Sequence, residues 1–214
     1  NGLPSIVGVA AGSYHSLALS GSGEVWAWGY NATGQLGDGS TTDRLAPVKV
    51  AGLGNVVAVS AGSNSSCAMD ANGKLWTWGH NNSGQLGRGA SEPSSRNAGP
   101  VQGPDGFRIF SCGDRFAVAM RGDGTVWAWG RNFEGQLGDG TATNRSSPVG
   151  VTGFEAKPTP TASPTNTATT MATPLPWNGG VSISHEPMTD STRPPWITSG
   201  MASASTFARA AASL

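Results

Sequence analysis

His15 and His80 are the side chains best suited to proton transfer near neutral pH, and neither has the company such chemistry needs. No nucleophile recurs beside them with a defined partner, so each reads as a hydrogen-bonding loop residue rather than half of a catalytic pair. Asp38-Gly39, Asp123-Gly124 and Asp139-Gly140 raise the question of calcium. The alternating oxygen ligands of a calcium loop are absent, and turn formation explains the pairs. Cys67 and Cys112 stand outside any zinc-type cluster. They occupy different positions of their surroundings and read as two small buried residues without a bond. Arg121-Gly122-Asp123 spells an integrin-type tripeptide but sits where a hairpin turn is expected. The sequons at Asn31, Asn64, Asn81 and Asn144 follow from turns rich in Asn, Ser and Thr. No metal or cofactor is called for.

Binding chemistry is better represented. One phrase, WAWGYNATGQLGDG from Trp26, returns as WTWGHNNSGQLGRG from Trp76 and WAWGRNFEGQLGDG from Trp127. Between these copies most letters hold while a few change. The changing ones are Tyr14-His15, Asn64-Ser65 and Arg115-Phe116, and the residue after each Trp-Gly: Tyr30, His80 and Arg131. Tyr, Phe and Arg are types that carry interface energy. Tyr14, His15, Tyr30, His80, Arg115, Phe116 and Arg131 are therefore the candidate partner-binding residues.

The elements that must position them follow from local pattern. Ile6–Ala11 is a short apolar run of strand length, and Ser16–Ser20 a second. The glycines of Ser20-Gly-Ser-Gly23 suit a hairpin turn. Glu24–Trp28 is a third strand, with Trp26 and Trp28 on one face and Val25 and Ala27 on the other. Two apolar faces require a sheet covered on both sides. A loop of about seventeen residues with Leu36 tucked inward precedes a short strand at Pro47–Val50, where proline suits a sheet edge. The turn at Gly12–His15 and the loop after the third strand leave on one side, and the Gly21–Gly23 turn on the other. The cycle restarts after 50 residues, from Gly29 to Gly79, and after 51 more at Gly130. A period of this size marks repeat architecture: all-β, propeller-type blades of four antiparallel strands, each covered by its neighbours.

The pattern stops at Phe154. Residues 155–174 hold seven Thr and four Pro with almost no large apolar residue, which predicts an extended linker. Residues 175–214 show no periodicity and read as a low-order tail. The net charge is zero over the whole chain. Nucleic-acid and anionic-membrane binders carry a basic excess, so neither partner is expected. No stretch approaches the length of apolar membrane span.

Ala11-Gly12-Ser-Tyr-His15-Ser-Leu-Ala-Leu19, Trp28-Gly29 and Gly34-Gln-Leu-Gly37 resemble the repeat of the regulator of chromosome condensation family. The resemblance covers residues 1–154 in three copies, and it departs from the family pattern where Ser65 and Phe116 replace the histidine present at His15. It implies a ring of seven blades, of which three are here, with the missing ones expected upstream of the abrupt front end. Family propellers serve as guanine-nucleotide exchange factors, β-lactamase inhibitors and light-sensing dimers, so the fold does not choose among roles. The expected function is a non-catalytic scaffold for a protein partner, outside a bacterial cell or on its surface, on a Thr/Pro-rich spacer. An exchange regulator of a small GTPase, or a β-lactamase-inhibitor-like propeller, is the alternative. An enzyme would need a domain beyond these repeats. Self-association of an incomplete propeller is a further expectation.

Overall fold

In the computed structural model, residues 4–89 and 92–154 are described, and the expectations for the linker and tail lie outside them. The described residues belong to the first of two compact units, Asn1–Thr165. Twelve strands run in order: β1 (Ile6–Ala11), β2 (His15–Ser20), β3 (Val25–Gly29), β4 (Arg44–Lys49), β5 (Val56–Ala61), β6 (Ser65–Asp70), β7 (Leu75–His80), β8 (Ser94–Pro100), β9 (Phe107–Cys112), β10 (Phe116–Arg121), β11 (Val126–Gly130) and β12 (Arg145–Gly150). They form three antiparallel meanders, β1-β2-β3-β4, β5-β6-β7-β8 and β9-β10-β11-β12. No helix among the described residues is long and apolar enough to cross a membrane.

The registers repeat from sheet to sheet. Ser16 faces Trp28, Ser66 faces Trp78, and Ala117 faces Trp129. The fourth strand begins earlier than its apolar letters imply, at Arg44 rather than Pro47. It pairs only with β3 and shifts register opposite Ala27 and Gly29. An edge strand needs no N–H on its outer side, so Pro47 fits inside it.

Each blade buries one face on the next. Leu17, Leu19, Val25, Ala27, Leu36 and Val50 of the first sheet pack against Val56, Ala68 and Trp78 of the second. The next joint sets Met69, Leu75 and Val101 against Phe107, Ala117, Ala119 and Trp129. The second tryptophan of a pair is the larger contributor, with Trp78 at 0% exposure and Trp129 at 1%. Its indole N–H donates to the carbonyl of a loop glutamine in the preceding blade, Trp78 to Gln35 at 2.9 Å and Trp129 to Gln85 at 3.0 Å. Gly37 takes φ of +66°, and a Cβ there would lie 2.8 Å from the Trp78 indole nitrogen. Glycine is thus required twice over, for the turn and for the approach.

Cys67 and Cys112 are joined by a disulfide, which corrects the expectation that they are separate thiols. Cys67 on β6 holds the register position of Leu17 on β2, and Cys112 on β9 that of Ala61 on β5. In the first joint, Leu17 and Ala61 belong to one apolar cluster. A bridge between neighbouring blades must therefore come from unlike repeat positions, which comparison within single repeats does not reveal.

Candidate functional site

Three copies of one backbone contact build the loop face. The N–H of the residue after Trp-Gly donates to the carbonyl of the residue two after Gly12 or its counterpart. The pairs are Tyr30 to Tyr14 (2.8 Å), His80 to Asn64 (2.9 Å) and Arg131 to Arg115 (2.8 Å). Two of the positions that differ in all three copies thus sit side by side in every blade.

Behind them the loop is held by an asparagine constant in all three copies. Asn31 is fully buried; its Nδ2 donates to Asp38 and to the carbonyls of Ser40 and Thr42, while its Oδ1 accepts the Leu36 N–H. Asn132 repeats the set with Asp139, Thr141, Thr143 and Leu137. Asn81 accepts from Leu86 N–H and donates to the Glu92 carbonyl. These asparagines were missed as structural residues, although their constancy beside a variable neighbour was the available signal. Asp38 and Asp139 tie their own loops, each accepting from an arginine, Arg44 or Arg145. The Thr141 hydroxyl, then Arg145, hold the Asp139 carboxyl down to about 2. Arg121 and Asp123 pair with each other across their turn at 2.9 Å.

The surface outside this frame runs from aromatic to cationic. Tyr14, 74% exposed, meets Tyr30 edge to face with ring centres 6.4 Å apart. With Asn64 they border a cleft of about 450 Å³. A second cleft of about 200 Å³ is lined by Ser13, Tyr14, Ser63, Asn64, His80, Asp114 and Arg115, so all three blades contribute. The Ser13 and Ser63 hydroxyls bond at 2.9 Å across the first joint. His80 Nδ1 lies 2.8 Å from the Gln85 amide nitrogen, which donates, leaving the imidazole proton on Nε2. Burial first, then the nearby Arg115 charge, holds His80 below the ordinary imidazole value. Arg131 pairs with Glu134 and stacks over Phe133. Exposed Phe133 extends the surface and was missed; it too differs between copies, as Ala32 and Asn82 do.

One of the seven candidates is not free to dock. His15 is 3% exposed, which removes it from the binding surface. Phe116 is half-buried, as His80 and Arg131 are, its ring lying over Gly113. Both occupy the first residue of a second strand, where the side chain turns inward under the loop. His15 Nε2 sits 2.9 Å from Ser66 Oγ, and that hydroxyl donates to the Gln35 carbonyl at 2.7 Å. The hydroxyl proton being committed, the imidazole must donate from Nε2, which leaves Nδ1 bare and buried without a partner. Burial accordingly lowers His15 from 6.5 to about 4.

A depressed histidine favours folding where both states are neutral. Its contribution is complete above the unfolded value near pH 6.5, falls as the unfolded chain takes up the proton, and is gone by about pH 4. The expected loss is about 3 kcal/mol. Urea melts across that range check it, with His15→Phe, the residue type found at position 116, expected to flatten the dependence. An unchanged slope in the variant would assign the loss elsewhere.

The described surface holds no group of three or more metal-ligating side chains among the described residues. Comparison with known proteins agrees with its repeat geometry. The regulator of chromosome condensation (RCC1) repeat matches residues 22–69, 72–120 and 123–163, each unit beginning before a third strand and so straddling two blades in the first two cases. A second form of that repeat matches 6–35, 56–85 and 107–136. The ultraviolet-B receptor UVR8 of Arabidopsis thaliana is 37% identical over 151 residues, 69% of this chain and 34% of the receptor. The E3 ubiquitin-protein ligase HERC2 of Mus musculus is 34% identical over 158 residues, 71% of this chain and 3% of the ligase. This chain therefore spans about a third or less of these relatives. Human WBSCR16 superposes with a TM-score of 0.63 at 29% identity, covering 70% of this chain and 38% of that one. Prp20p of Saccharomyces cerevisiae gives 0.61 at 25% identity, covering 71% and 40%. The three blades, their constant glutamine and tryptophan joints and these matches place the chain in the regulator of chromosome condensation repeat family.

Proposed function

We propose that this chain is a non-catalytic scaffold that docks a protein partner on its loop face, in an extracellular or cell-surface setting of a bacterium. The observation that carries the reading is the backbone coupling of the two variable positions in each blade, which displays Tyr14 with Tyr30, Asn64 with His80 and Arg115 with Arg131 on one side. A constant frame with variable exposed aromatic and arginine residues is how a rigid fold presents a recognition surface. Prp20p, described by its binding properties to Gsp1p and histones, is a protein-binding relative of the same fold. Neither histidine is set up to activate a nucleophile: the Ser66 hydroxyl beside His15 is fully buried and donates to the Gln35 carbonyl, and His80 is held by Gln85.

The setting draws on the Cys67–Cys112 bridge. Structural disulfides persist in oxidising compartments and are rare in the cytosol and nucleus, which weighs against regulation of a small GTPase. The Thr/Pro-rich composition of 155–174 suits a surface spacer.

Replacing Tyr14, Tyr30, His80, Arg115 and Arg131 together with alanine is the test. Cross-linking capture from the secreted and surface protein fraction should fall at least about tenfold, with the melting transition retained. Alanines at Ser22, Arg121 and Asp123 on the opposite turns should leave capture intact. Loss confined to that second set would overturn the assignment of faces.

A further inference from the structure

The three-blade cleft has a make-up that protein docking does not by itself explain. Its walls are the β1–β2, β5–β6 and β9–β10 turns and the end of β7. It therefore opens among the turns of the loop face, not on the flanks by which blades stack. In a chain where most letters repeat, these turns carry Ser13-Tyr14, Ser63-Asn64 and Asp114-Arg115. Three unlike turns make a cleft without repeat symmetry. Its polar groups are of both kinds and sum to no net charge. The Ser13 and Ser63 hydroxyls bond each other at 2.9 Å, which leaves one of their protons uncommitted. His80 brings Nε2–H, because its Nδ1 accepts from Gln85, and Asn64 brings an amide. Asp114 and Arg115 are about half exposed, and at 3.7 Å theirs is the longest ion pair among the described residues. Both keep free hydrogen-bonding positions for a ligand. An anionic ligand would meet the Asp114 carboxylate, and a cationic one the Arg115 guanidinium.

We infer that this cleft binds an uncharged sugar ring, presented by a glycan on the docked partner. Every sugar hydroxyl both donates and accepts, which matches a wall of mixed donors and acceptors. Planar carboxylate, amide and guanidinium groups hold neighbouring hydroxyls two at a time. The apolar C–H face of a pyranose needs an aromatic ring, and the exposed Tyr14 ring supplies it at the cleft's edge. At about 200 Å³ the cleft is smaller than the roughly 300 Å³ at which drug-sized sites begin, so it takes one ring. The next ring of the glycan lies over the adjoining cleft of about 450 Å³, bordered by Tyr14, Tyr30 and Asn64. This inference rests on the loop face being the docking side, and it names what the partner shows there.

Binding of the full 214-residue chain to an array of uncharged and acidic oligosaccharides is the experiment. Capture from the secreted and surface fraction is measured beside it, before and after periodate oxidation of the glycans. Array signal is expected on glycans ending in hexoses or N-acetylhexosamines, with capture lost after periodate. Asp114→Asn and Tyr14→Ala, both at exposed sites compatible with folding, should each weaken array binding at least about tenfold. Tyr14→Phe keeps the ring and should retain it. Leu45→Glu, fully exposed on the outer strand β4, should leave it unchanged. An array without signal would overturn the sugar. If capture then survived periodate and still fell in the five-alanine variant, the docking face would stand without it. Signal confined to acidic glycans, or signal indifferent to both Asp114→Asn and Tyr14→Ala, would equally overturn the proposal.

Discussion

Trp78→Ala is expected to lower the stability of the repeat unit by about 3–5 kcal/mol, the range for truncating a large aromatic in a core. The indole is fully buried and fills the joint between two sheets rather than the interior of one. Its removal leaves a void lined by Leu36, Val50 and Ala68, and Gly37 has no side chain to collapse into it. The Gln35 carbonyl also loses one of its two donors, keeping only the Ser66 hydroxyl. Trp28→Ala, at the same register but half-buried, should cost clearly less. Urea melts of the two variants make the comparison. Equal losses would mean that burial between blades does not set the energetics.

Reduction of the Cys67–Cys112 bridge is expected to cost about 4 kcal/mol, from the loop-closure entropy of a cross-link spanning roughly 45 residues. The bridge ties β6 to β9, so the loss should appear as earlier separation of the second and third blades. Cys67→Val with Cys112→Ala imitates the apolar contact at the matching positions of the first joint, Leu17 and Ala61, and should recover part of the packing but none of the entropy. Thermal melts with and without reductant, with alkylation to count free thiols, test it. Thiols that alkylate in the untreated protein, or a melting temperature unmoved by reductant, would remove the bridge from the account.

Much of this molecule is written locally. The alternation in Ile6–Ala11, the glycines of Ser20–Gly23 and the Trp-x-Trp-Gly strand end each dictate their own structure within a few residues, because strand pleat and turn dihedrals are short-range properties. Repetition at 50 and 51 residues then implies stacking, since a sheet with two apolar faces has to be covered. The side on which Tyr14 and Tyr30 emerge also follows from strand direction. Copy-to-copy variation pointed to exposed Tyr14 and Arg115, but equally to His15, because variation does not tell a surface position from one facing a joint.

What only the tertiary structure decided lies between the repeats. His15 finds Ser66 and Trp78 finds Gln35 across the same joint, and Cys67 finds Cys112 across the next. Each pair combines unlike positions of adjacent units. By itself the sequence determined the blade, its period and its family likeness. The disulfide, the buried imidazole and the tryptophan socket depend on how one sheet is rotated against its neighbour, a relation set by packing over the whole interface and carried by no single stretch of letters.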